Sequence, residues 1–150
     1  MTKSLTDLIC PLDGKPLRLN ERSWRCEDGH SYDVAKQGYV NLLPVQNKRS
    51  KDPGDSKAMV QARREYLEQG YYEPLVRALA NTVLAEGDQA VLDAGCGEGY
   101  YLRYLVEQAE QKGIDLRVAA LDISKWAVQA AAKKDKRLSW MVASNVFIPL

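Results

Sequence analysis

The chain has 150 residues with 21 basic and 20 acidic side chains, 45% of it hydrophobic, which leaves room for one domain, or a small module plus most of another. Near-neutral charge says nothing about partners. No apolar run is long enough to cross a bilayer, and the opening MTKSLTDLIC lacks the apolar core of a secretion signal, so a cytoplasmic protein with no membrane partner is expected.

Residues 1–42 consist of short alternating runs broken by turns: LICPLDGKPLRL, SWRCEDGHSYDV and GYVNLL. They read as a small β module with too few apolar residues to hold a core without a staple. Three cysteines, an odd number, are poor material for a disulfide framework. A metal is the other staple. Cys26 and His30 have C-x3-H spacing, Cys10 lies in the turn CPLDG, and Asp13 stands where a C-x2-C knuckle would carry its second cysteine. A zinc site of Cys10, Asp13, Cys26 and His30 is chemically possible, although closed structural sites are mostly sulfur and nitrogen. The alternative is a metal-free hairpin held by Leu12, Leu17, Trp24 and Tyr32.

Residues 43–57 carry a D-P-G turn and no apolar period, and read as a linker. Between Lys48 and Arg64 six basic side chains face two acids. Lys48, Arg49, Lys51, Arg63 and Arg64 suit phosphate contacts; a solvated linker surface is the equal alternative. Ser56 is placed to cap a helix to about Gln69 with Met59, Ala62 and Tyr66 on its packing face. A second helix from Pro74 carries Leu75, Val76, Leu79, Ala80, Val83 and Leu84 as an apolar stripe ending at Gly87.

Val91 and Leu92 end a buried parallel strand, which puts Asp93 at its carboxyl end. Gly95, Gly97 and Gly99 follow as D-x-G-x-G-x-G, one residue tighter than the dinucleotide fingerprint. Glycine there permits positive φ and close approach of backbone to a ligand. A helix then runs with Tyr101, Leu102, Leu105, Val106 and Ala109 on one face and Gly113 as its C-cap. RVAALD is a second strand ending in Asp122, 23 positions after Gly99, where a carboxylate accepts ribose hydroxyls. Ser124 caps a further helix with Ala127, Val128, Ala130 and Ala131 inward, and Trp126 near its start is a candidate to flank an adenine. LSWMVAS, residues 138–144, is a third strand, whose end offers Ala143, Ser144 and Asn145 to the same ligand. Cys96, between two loop glycines, reads as a small residue at a tight turn, and His30 is the sole histidine, so no Ser-His-Asp triad exists within this chain. No residue is assigned a catalytic role.

DAGCGEG resembles the first motif of S-adenosylmethionine-dependent methyltransferases with a Rossmann-like sheet. The C-P-x-x turn with C-x3-H, then GYVNLLPVQNKRSKDPGDS, QARREYLEQGYYEPL and VLDAGCGEGYY, together resemble the 23S ribosomal RNA (guanine-N1)-methyltransferases from Leu8 to Leu150. The resemblance implies an α/β protein: a zinc-ribbon-like RNA-recognition module over 1–42, a basic linker over 43–57, and, over 58–150, the amino-terminal half of a methyltransferase sheet. It implies methyl transfer from S-adenosylmethionine to guanine N1 of 23S ribosomal RNA, often by a homodimer. Carried over by residue, Cys10, Cys26 and His30 match zinc ligands, Gly95, Gly97 and Asp122 the cofactor site, and Asn145 the adenine-side turn. The family has cysteine where this chain has Asp13. Three strands are half of such a sheet, so a fragment of a longer protein is expected. The competing readings are a small-molecule methyltransferase, a nicotinamide-dependent oxidoreductase and a non-catalytic RNA-binding or assembly protein.

Overall fold

The computed structural model describes residues 2–150. Three short strands, β2 (Arg18–Asn20), β3 (Ser23–Arg25) and β4 (Ser31–Asp33), form an antiparallel sheet in the amino-terminal module. Trp24 sits opposite both Leu19 and Tyr32 there. A second sheet is wholly parallel and holds β1 (Lys3–Ser4), β5 (Tyr39–Asn41), β6 (Gln89–Ala94), β7 (Leu116–Asp122) and β8 (Ser139–Val142). Strand β7 is its centre. β6 runs along one edge of β7 from Leu116 to Leu121, while β1 and then β8 share the other edge. β5 adds to the far side of β8, Val40 opposite Met141. The amino-terminal region therefore contributes strands to the larger sheet at β1 and β5.

Alternation along β7 and β8 divides the interior. Val118, Ala120, Trp140 and Val142 face a core built with α2 (Glu73–Leu84), α3 (Tyr100–Lys112) and α4 (Lys125–Lys134). Ala119, Leu121, Met141 and Ala143 face the other way, onto Leu8, Cys10, Leu17, Cys26, Val40 and Leu42 of the module. Side chains of a strand alternate between faces, so a continuous apolar run needs cover on both. Helices supply one cover and the module supplies the other. Of the four side chains expected to hold the module, Leu17 is buried and Trp24 and Tyr32 pack against this core, whereas Leu12 is exposed.

The helices begin where their caps dictate. Ser56 accepts the Met59 amide at the start of α1 (Lys57–Glu68), and Ser124 accepts the Ala127 amide at the start of α4. Gly113 ends α3 at φ 68°. The expected packing face of α1 is its outer face: Met59, Ala62 and Tyr66 are exposed, while Val60 and Leu67 are buried. Contact with α4 selects the other stripe, and the Tyr66 ring instead packs tilted against Tyr71 at 5.1 Å and edge-on against Tyr72 at 5.7 Å. On α2 only Val76, Ala80 and Leu84 are buried, because one layer of contact with α3 cannot cover so wide a stripe, leaving Leu75 and Leu79 outside. On α4, Ala132 is buried in place of Ala130, which lines a surface groove beside α1. Val91 and Leu92 are half-buried, since β6 pairs on one side only.

Candidate functional site

Two clusters of chemistry stand at opposite ends of the sequence. In the module, Cys10, Asp13, Cys26 and His30 place one ligand atom each within 4.8 Å of one another. His30 Nδ1 lies 3.0 Å from Asp13 Oδ2, 3.4 Å from Cys26 Sγ and 3.5 Å from Cys10 Sγ, and Cys26 Sγ lies 3.3 Å from Asp13 Oδ2. Zinc bonds of about 2.0 to 2.3 Å give tetrahedral edges of roughly 3.3 to 3.8 Å. The four donors thus fit a zinc ion with little movement. The backbone amide of Lys15 donates to Asp13 Oδ1 at 2.9 Å and, with the thiols and imidazole around it, holds the Asp13 carboxyl well below its usual range. Asp13 is therefore ready as an anionic ligand. Lys15 also pairs with Glu27 at 2.9 Å and Asp28 at 2.8 Å, tying the turn that carries Cys10 to the turn that carries Cys26. Tyr32 Oη sits 3.1 Å from Cys10 Sγ, an outer-sphere partner that the sequence pattern did not reveal.

The second cluster lies at the carboxyl ends of β6 and β7, where open α/β sheets bind their ligands. Asp93 is the penultimate residue of β6, one before Ala94, and Asp122 ends β7. Burial first, then the Asp122 charge, raises the Asp93 carboxyl above its ordinary value. Between them the loop 95–99 turns through three positive φ angles, 85° at Gly95, 57° at Gly97 and 86° at Gly99. A Cβ at Gly95 or Gly97 would meet nothing within 4 Å, so both face open space. One at Gly99 would lie 2.7 Å from the Trp140 ring. Two glycines thus leave room for a ligand and the third lets the loop sit down on the core. Asp122 braces this loop, accepting the Gly97 amide at 3.0 Å on Oδ2 and the Ser124 amide at 2.9 Å on Oδ1.

Beneath the loop lies a residue the sequence analysis did not single out. The Glu98 side chain is 3% exposed, with its carboxylate 2.8 Å from Arg103 and 3.3 Å from Lys134. Arg103 also donates to the Glu98 carbonyl. Lys134 reaches on to Glu68 of α1, which pairs with Arg64. No spacing rule pointed to this network, because its members come from α1, the loop, α3 and α4. Cys96 is buried, and that burial pushes its thiol up, away from nucleophilic use.

The other expected residues are spread around the site. Ser144 accepts the Val146 amide at 3.1 Å and lines a cavity of about 550 Å³ with Lys48 and Arg49, while Asn145 is exposed in the same turn. Trp126 does not line that cavity; Lys125 and Lys57 lie over its ring at 4.8 and 5.8 Å. Lys51 belongs to a neighbouring hollow. Arg63 pairs with Asp55 at 3.6 Å and Arg64 with Glu68 at 3.2 Å. No helix among the described residues is long and apolar enough to cross a membrane.

Comparison with known proteins agrees with this division. Residues 8–51 match the family described as RlmA, N-terminal, a zinc ribbon, and residues 92–149 match the methyltransferase domain family. The 23S rRNA (guanine(748)-N(1))-methyltransferase of Streptomyces fradiae is 42% identical over 140 residues, 91% of this chain and 48% of the relative. A Bacillus subtilis protein, provisionally named as a 23S rRNA (guanine-N(1)-)-methyltransferase, is 34% identical over 149 residues, 93% of this chain and 50% of its own. The chain spans about half the length of these relatives. A crystal structure from Methanococcus maripaludis, provisionally described as an S-adenosyl-L-methionine-dependent methyltransferase, shares the fold with a TM-score of 0.52 at 21% identity. The alignment covers 69% of this chain and 49% of that one.

Proposed function

We propose that the chain, through its matches to the RlmA N-terminal and methyltransferase-domain families and its likeness to 23S rRNA (guanine-N1)-methyltransferases, carries the cofactor seat and RNA-recognition module of an enzyme that methylates guanine N1 in 23S ribosomal RNA. The observation that carries the reading is the pairing of Asp93 and Asp122 across a loop whose Gly95 and Gly97 open onto free space. S-adenosylmethionine brings a methyl group already activated on a sulfonium. What remains for these residues is to bind and orient, which is where proximity supplies much of the rate.

Asp122 keeps acceptor capacity beyond its two amide bonds, since an ionised carboxylate has about four lone-pair sites, and suits ribose hydroxyls. Asp93, held near a second carboxylate in a partly dry site, favours a cationic ligand that relieves the repulsion. The amide edge of the glycine loop and the N-terminus of α3 complete the seat. Zinc, held by Cys10, Asp13, Cys26 and His30, orders the module.

Division into an RNA-reading module, a basic linker and a catalytic half, contact of Lys48, Arg49, Lys51, Arg63 and Arg64 with RNA phosphates, and cytoplasmic residence belong to the same reading. So does a homodimer, for which the exposed Tyr66, Tyr71, Tyr72 and Leu75 offer an apolar surface. The test is titration calorimetry with S-adenosylmethionine and with NAD, followed by transfer of labelled methyl to 23S ribosomal RNA and mapping of the modified base. Binding of S-adenosylmethionine alone and label on guanine N1 are expected. Binding of NAD but not of S-adenosylmethionine would sink the proposal, and RNA binding without methyl incorporation would favour an assembly role.

A further inference from the structure

The linker does not hang free. From β5, which lies beside β8, it makes a 3₁₀ turn over Val45–Asn47 and crosses the carboxyl ends of β8 and β7 to reach α1. Three contacts seat it. A Cβ at Gly54 would lie 2.8 Å from Ile123 Cγ2 and 3.0 Å from the Ser124 backbone nitrogen. The Ser124 hydroxyl donates to the Asp55 carbonyl at 2.6 Å, and Lys125 pairs with Asp52 at 3.2 Å. Only glycine lets the chain approach Ile123 this closely, and at φ 79° only glycine does so without strain.

Under this strap lies the cavity of about 550 Å³. Its lining joins Ile123 and Phe147 to the carboxamides Gln46 and Asn47 and the cations Lys48 and Arg49 of the strap. Ile123 directly follows Asp122, which sets this cavity beside the proposed ribose acceptor. Beside those two cations the lining offers what a purine needs: aliphatic and aromatic surface for the ring faces, and neutral carboxamides able to both donate and accept at an edge. We propose that residues 46–54 form a wall of the adenosine pocket, with Gln46 and Asn47 on the adenine edge and Gly54 as the seat that holds the strap down. The inference rests on the methyltransferase reading and makes the segment between module and catalytic half a part of the cofactor site.

Calorimetry on the zinc-loaded 150-residue chain tests it, with S-adenosylmethionine and 5′-methylthioadenosine as separate probes. A Gln46→Ala/Asn47→Ala variant and a Gly54→Val variant are each expected to weaken both ligands by about tenfold or more, with circular dichroism unchanged. If Gly54→Val fails to fold, the carboxamide variant decides alone. Wild-type chain binding both probes while the carboxamide variant binds them equally well overturns the inference and leaves the methyltransferase reading intact. Wild-type chain binding neither probe overturns both. A variant that keeps both ligands but loses affinity for inorganic phosphate assigns the strap to RNA backbone instead, which also overturns the inference.

Discussion

The Asp122 carboxylate takes the amide hydrogen of Gly97, 25 residues earlier in the chain, at 3.0 Å, so the acid ending β7 fixes the loop that follows β6. Replacing it removes the proposed ribose acceptor and a brace together. Asp122→Ala is expected to weaken S-adenosylmethionine by roughly 10- to 100-fold, the equivalent of about 1 to 3 kcal/mol for unpaired buried partners. Asp122→Asn, which keeps one acceptor, should fall between. Calorimetry checks both, and unchanged affinity in the alanine variant would remove Asp122 from the seat.

Asp93 supplies a pH signature. Its carboxyl is raised in the folded chain, first by burial and then by the Asp122 charge. Between its unfolded and folded values the folded state holds the extra proton, so stability falls as pH rises through that window. Asp93→Asn should therefore be more stable than wild type at neutral pH, with the two converging below the ordinary carboxylate range. Urea unfolding at several pH values gives the comparison; a variant less stable at neutral pH would contradict the sign.

The loop glycines should separate by their surroundings. Gly99→Ala drives a methyl into the Trp140 ring and strains a left-handed residue, for an expected loss of about 2 kcal/mol or more. Gly95→Ala bears only the backbone strain, about 1 to 2 kcal/mol, and fills ligand space. Thermal melts should rank Gly99→Ala lower, while calorimetry should show Gly95→Ala losing cofactor affinity.

For Glu98, buried against Arg103 and Lys134, neutralisation leaves two cations short of a partner. Glu98→Gln keeps the shape, and an expected destabilisation of about 1 to 3 kcal/mol is set by the part-exposed partners. Equilibrium denaturation measures it, and a stability equal to wild type would show that solvent screens the network.

Metal removal should act on the whole molecule. Chelation is expected to lower the melting temperature in one transition, seen alike by far-ultraviolet circular dichroism and tryptophan fluorescence, because Cys10 and Cys26 share a core with Leu121 and Met141. Tyr32→Phe should speed zinc release or weaken affinity by about 10- to 100-fold, and Asp13→Cys should tighten it. Metal content by mass spectrometry and a chromogenic chelator supply the readouts.

The sequence pattern disclosed what depends on neighbours along the chain. The caps at Ser56, Ser124 and Gly113, the strands that carry Asp93 and Asp122 at their carboxyl ends, and the candidate donor pairs Cys10 with Asp13 and Cys26 with His30 all rest on short-range spacing. What stayed hidden depends on distant partners. Met59 and Tyr66 have the period of a packing face, yet α4 selects Val60 and Leu67. Glu98 looks like a loop residue until Lys134 and Arg103 converge on it. The linker shows no period, and its order comes from Gly54 meeting Ile123 and Ser124.

Neighbouring residues of β7 point to different owners, Ala120 to the helices and Ala119 to the metal-bearing segment. That segment is therefore a poor candidate for grafting: transplanted alone it would leave behind the aliphatic floor it rests on, and the donor would be left with one side of its central strand bare to water. Swaps between related chains should succeed only when both are exchanged together.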